Sequence, residues 1–139
     1  MSKKSAKIAE LLRGFEPSDV DPHYAGYFAC FNREQFYEAH DVLEELWLKQ
    51  RGQANDLFFK GLIQLAGAFV HLQKERLKPA AALFRLAQTN LKKYPPEHER
   101  LGVDSVLAVI HHWLRELEMG NFETNPLHHQ PPPKLQLKV

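Results

Sequence analysis

The chain contains a single cysteine, Cys30, which excludes an intrachain disulfide and any multi-cysteine metal site. Charge of one dominant sign is missing too: 18 Lys and Arg face 17 Asp and Glu, for a formal net charge of +1. So even a balance supplies no bulk field to gather nucleic acid or an anionic membrane surface, and neither partner is expected. Long hydrophobic runs are absent. No stretch approaches the roughly 18 uninterrupted apolar residues of a membrane span. The opening MSKKSAKIAELLRGF is broken by Glu10 and Arg13 where a signal peptide keeps a continuous apolar core. With the solitary cysteine, these features point to the cytoplasm. There is also no Gly-rich phosphate loop after a strand, no nucleophile elbow and no interleaved basic and aromatic surface.

Val, Ile and Thr are sparse, whereas Leu, Ala, Glu, Lys and Gln abound, and apolar positions recur at three and four rather than two. The fold class is therefore all-α: a compact bundle of five or six helices over residues 1–120, with an extended proline-rich tail over 121–139. Ser5 to Arg13, closed by Gly14, forms a short first helix. Asp21 caps a second that begins at Pro22. Asn32 and Gln35 have capping-box spacing, so a third helix starts at Arg33 and stops near Gly52. Asn55 caps a fourth, Asp56 to Lys74, apolar on most of its circumference and therefore central. A fifth begins with Pro79 and ends at Tyr94, because Pro95 and Pro96 cannot continue it. The sixth, Val103 to Met119, buries one stripe and terminates at Gly120. In the tail, Leu135, Leu137 and Val139 alternate, a pattern that could dock on a neighbouring copy as an extended strand.

Chemistry concentrates in FYEAHDVLEELW, residues 36–47. On a helical wheel Phe36, Ala39, Leu43, Leu46 and Trp47 form the buried face, and His40 lands among them. Glu38, Asp41 and Glu45 fall opposite, as a solvated flank, while Glu44 lies at the boundary one turn after His40. His40 and Glu44, four apart, form an inward polar pair. On the fourth helix Lys60, Gln64, Gly67 and His71 make one polar stripe. Burying such groups unpaired costs on the order of 1–3 kcal/mol each, so they require partners. The resulting constellation is His40, Glu44, Gln64 and His71, with Lys60 at its rim and Tyr37 beside Glu44.

Three readings remain open. The polar groups could only fix helix packing; they could line a small-molecule or anion pocket with Lys60 and the histidines; or His40, Glu44 and His71 could hold a divalent metal such as zinc or non-haem iron, although neither H-E-x-x-H nor paired E-x-x-H motifs occur. In an enzyme Glu44 or His40 would be the general base and His71 a second acid/base or ligand. The residues do not decide between an enzyme and a binding module. Cys30 reads as a core residue, His111 and His112 as flank residues, and His128 and His129 as a pair in the tail with little preorganisation.

FNREQFYEAHDVLEELW followed by FFKGLIQLAGAFVHLQKERLKPAAALFRLA resembles the bacterial and archaeal domain-of-unknown-function family numbered three hundred and nine, over roughly residues 28–96. The resemblance rests on an E-x-H-[DE]-x-x-E-x-x-W core followed by G-L-I-Q-x-A and a histidine. It implies a small all-helical bundle whose polar pattern maps to Glu38, His40, Asp41, Glu44, Trp47, Gln64 and His71, with no established activity. It also implies that Glu38 and Asp41 are covered by another helix or cap neighbouring backbone. A looser likeness to a tetratricopeptide hairpin rests on Ala80, Phe84 and Ala87. One unit without the closing proline does not make a solenoid. The competing functions are a small-ligand or metal-dependent site between the third and fourth helices, and a non-catalytic interaction module that binds a partner or a second copy.

Overall fold

The computed structural model describes residues 3–12 and 20–138. Six helices follow one another: α1 (Lys3–Leu12), α2 (Pro22–Asn32), α3 (Phe36–Lys49), α4 (Asp56–Gln73), α5 (Leu77–Leu91) and α6 (Val103–Met119). The all-α bundle expected from the apolar spacing is the fold observed. Arg13 and Gly14, the expected end of the first helix, lie outside the described residues, as does Val139. None of the described helices is long and apolar enough to cross a membrane.

Some helix boundaries have local causes. The Asp21 carboxylate accepts from the His23 N–H at 2.8 Å, leaving Pro22 in the first turn where its missing N–H costs nothing. Gly120 ends α6. The capping box at Asn32 does not form. α2 runs through Asn32, Glu34 takes a left-handed φ of 62°, and α3 begins at Phe36 after Gln35, which makes no side-chain cap bond. The Asn32 amide is engaged elsewhere: it accepts from the Leu135 N–H and donates to the Leu135 carbonyl, both at 2.7 Å. Asn55 likewise precedes α4 without capping it, its oxygen lying 2.7 Å from His98 Nε2.

The core centres on α4, as its nearly continuous apolar circumference requires. Phe69 stacks on Phe36 at 5.0 Å and meets Phe31, Phe84 and Trp113 edge-on at 5.7, 5.3 and 5.0 Å. Tyr27 is fully buried and donates its hydroxyl to the Leu62 carbonyl at 2.6 Å, so this polar atom joins α2 to α4 without an unpaired group. Ala80, Phe84 and Ala87 form the buried row of α5. Gly61 lets α5 approach, because a Cβ there would stand 2.9 Å from Leu91. Cys30 is in the core, where burial raises its thiol pKa.

Two further features differ from expectation. Residues 97–102 form a two-stranded antiparallel hairpin, β1 (Glu97–His98) and β2 (Leu101–Gly102), turning through Glu99 and Arg100 at φ 50° and 62°. The segment after Gly120 is not a uniformly extended tail. It turns through left-handed Asn121 and Phe122, and Asn125 caps a 3-10 turn over Pro126–His128. Asn125 is itself buried and donates to the Leu72 carbonyl at 2.6 Å. Residues 131–138 then run without regular structure along their own bundle, with Leu135 buried and the Lys138 N–H on the Arg100 carbonyl at 2.7 Å.

Candidate functional site

The outer flank of α3, expected to face water, is covered. Asp41 is 6% exposed, because α1 lies across it and sets Lys4 Nζ 3.4 Å from its carboxylate. The same ammonium pairs with Glu44. On the side of α2, Glu45 stands 3.0 Å from His23 Nε2. Glu38 is half-buried. A helical wheel treats one helix alone and cannot show that two neighbours share its polar side. The covering helix that the family resemblance implies for Asp41 is α1.

The inward pair is divided by the same packing. Glu44 turns to Lys4 rather than to α4, which overturns its place beside Gln64 and His71. His40 is partly exposed, with Nδ1 3.2 Å from Asp41 and Nε2 3.7 Å from Glu44. Both ring nitrogens of this candidate base therefore face acids on its own helix. Trp47 also lies apart: its indole donates to Asp56 at 2.6 Å, and Asp56 further accepts from the Gly52 N–H at 2.7 Å. These two bonds, the backbone one first, hold the Asp56 carboxyl below the usual carboxylate range. Lys60 is exposed and one turn removed. Among the described residues no group of three or more His, Cys, Asp or Glu side chains is gathered to hold a metal, so His40, Glu44 and His71 are not assembled as ligands.

The remaining members of the constellation converge. A cleft of about 300 Å³ opens between α3, α4 and α5, lined by Tyr37, His40, Ile63, Gln64, Gly67, Val70, His71, Lys74 and Leu83. Its floor follows from spacing: positions 64, 67 and 71 share one face of α4, and Gly67 leaves a gap where a Cβ would come 3.0 Å from Leu83 Cδ1. Its walls are apolar, from Ile63, Val70 and Leu83. At one end Gln64 accepts from Asn90 Nδ2 at 2.8 Å, a nearly buried bond between α4 and α5. At the other, His71 Nδ1 is buried with no hydrogen-bond partner among the described residues. Burial lowers the His71 pKa below its ordinary value, and the cations of Arg76 and Lys74 lower it further.

Of the eight residues singled out from the sequence, His40, Gln64 and His71 line this cleft, while Glu38, Asp41, Glu44, Trp47 and Lys60 do not. Sequence reasoning missed two participants. Lys74 continues the 60, 64, 67, 71 progression by three and was readable from it. Asn90 breaks an otherwise apolar row on α5, next to Leu91, and a lone amide there signals a buried partner.

Comparison with known proteins gives one match. No curated protein and no solved structure is similar to the chain. Residues 24–83 match the family model described as Domain of unknown function (DUF309), a segment that holds α2, α3, α4 and the start of α5. The resemblance read from E-x-H-[DE]-x-x-E-x-x-W and G-L-I-Q-x-A is therefore real, and over that segment the chain is similar to the DUF309 family.

Proposed function

We propose that the cleft between α3, α4 and α5 binds a small ligand with an apolar body. The observation that carries this reading is His71: a neutral imidazole at the end of an apolar-walled space, with Nδ1 buried and unpartnered. An unsatisfied buried nitrogen costs about 1–3 kcal/mol, a burden that a purely structural position sheds by substitution. The volume of about 300 Å³ is at the small end of ligand pockets, and walls of aliphatic side chains with a few convergent polar groups are their usual chemistry. Because Glu44 is tied to Lys4 and His40 faces its own acids, the reading is one of binding and assigns no reaction.

A second reading is favoured by one bond. Asn90 donates to Gln64 across α4 and α5, as a polar pair that fixes packing does in a non-catalytic interaction module. Both readings meet the same test. Amide spectra of 15N-labelled protein titrated with 1-hexanol should show shifts centred on Gly67, His71 and Leu83, and Val70→Phe, which narrows the cleft from its half-exposed wall, should weaken them. Shifts scattered elsewhere, or none at millimolar hexanol, would favour the packing role.

A further inference from the structure

We infer that the cleft selects an anionic amphiphile, a short aliphatic chain ending in a carboxylate, with the head toward Lys74 and His71 and the chain along Gly67. This inference rests on the cleft being a ligand site and adds the charge and orientation of the occupant.

The sign of the lining is one-sided. Among the described residues no Asp or Glu lines the cleft. The nearby acids are already engaged: Asp41 and Glu44 with Lys4 and with the ring nitrogens of His40, and Glu75 with Asn125 and His128. Lys74 is in the lining, and it and Arg76 both lie close enough to oppose a proton on His71. A neutral imidazole has one N–H. With that N–H at Nδ1, an acceptor in the cleft supplies the partner this buried atom lacks. Gln64 accepts from Asn90 at its oxygen, which leaves its NH2 group to donate to a ligand. Lys74, His71 and Gln64 thus present donors and a cation, the complement of an acceptor-only head such as a carboxylate.

Orientation follows from the order along α4. Gln64 and Lys74 are separated by about 15 Å of helix, with Gly67 and Val70 between them. The α4 carbonyls that end at this point do not repel the head strongly, because Lys74, Glu75 and Arg76 N–H groups already occupy those of Val70, His71 and Leu72. A head at the Lys74 end meets the ammonium and the imidazole together. The aliphatic chain then covers Val70, Leu83 and the gap at Gly67.

Three six-carbon probes separate the possibilities by calorimetric titration at pH 7: hexanoate, 1-hexanol and hexylamine. Hexanoate should bind most tightly and hexylamine least. Lys74→Gln, at an exposed position that leaves the fold intact, should weaken hexanoate about three- to fivefold and leave hexanol unchanged. Lys74→Glu should reverse the order of the two charged probes. Hexanol binding as tightly as hexanoate, or hexanoate indifferent to Lys74→Glu, would overturn the anionic assignment while leaving the cleft a binding site. If none of the three binds, the cleft reading fails together with it.

Discussion

The two polar sides of α3 behave in opposite ways. Toward α1 and α2, Asp41, Glu44 and Glu45 are each answered by a basic or imidazole group: Lys4 for the first two and His23 for the third. Toward α4 and α5 the polar groups are fewer, yet His71 Nδ1 is left unanswered at the edge of a cleft. The charge-dense side is the one with its groups paired, and the sparse side is the one where we propose that a ligand binds. Density of acids in a sequence therefore does not locate a site. Incomplete pairing is the better pointer, because a satisfied group has less left to offer a ligand.

The largest expected effect lies on the satisfied side. Asp41→Ala removes a buried carboxylate facing Lys4 and His40 and should cost about 2 kcal/mol, read from the urea midpoint at constant m. A loss too small to resolve would mean that the flank is solvated after all and the contrast is false. On the cleft side the sign should reverse: His71→Leu removes the orphaned nitrogen at similar volume and should leave the protein as stable or about 1 kcal/mol more so, while abolishing the shifts that hexanol produces. Destabilisation would show that the imidazole is satisfied in solution. The smallest effect is one of pH. The folded His71 pKa lies below the ordinary 6.5, so the unfolded chain takes up the proton first. This group costs no stability above about pH 6.5, and stability declines as pH falls through the folded value. His71→Gln should flatten thermal midpoints between pH 7 and about pH 5, below which Asp56 and Glu75, both depressed, add their own loss.

The helices were legible because their causes are local. Apolar recurrence at three and four, Pro22 behind Asp21, and Gly120 after Met119 all act within a turn or two of where they stand. What could not be read depends on distant chain. Asp41 is buried by a lysine on α1, and the cap at Asn32 is lost to a backbone on the far side of the sequence. The hairpin at 97–102 carries Glu and Arg at its left-handed positions instead of the Asn-Gly that marks such turns, so no signal announced it. The candidate site was half visible. The α4 stripe puts Gln64 and His71 on the cleft and points onward to Lys74, and His40 lines it too, whereas Glu44 turns to Lys4, because four-residue spacing brings two groups together without saying which neighbour they face.

The Asn32 bracket on Leu135 sets an order of events as the chain folds. It joins positions 103 residues apart, and closing so long a loop in an unstructured chain costs about 4 kcal/mol in entropy. Once α6 has docked, only the segment after Met119 remains to be closed, and the cost falls to about 2.5 kcal/mol. The bracket should therefore form last, after the helices are packed, and add its strength to the barrier against unfolding more than to the speed of folding. An amide probe at Leu135 would report the completion of the bundle rather than its beginning.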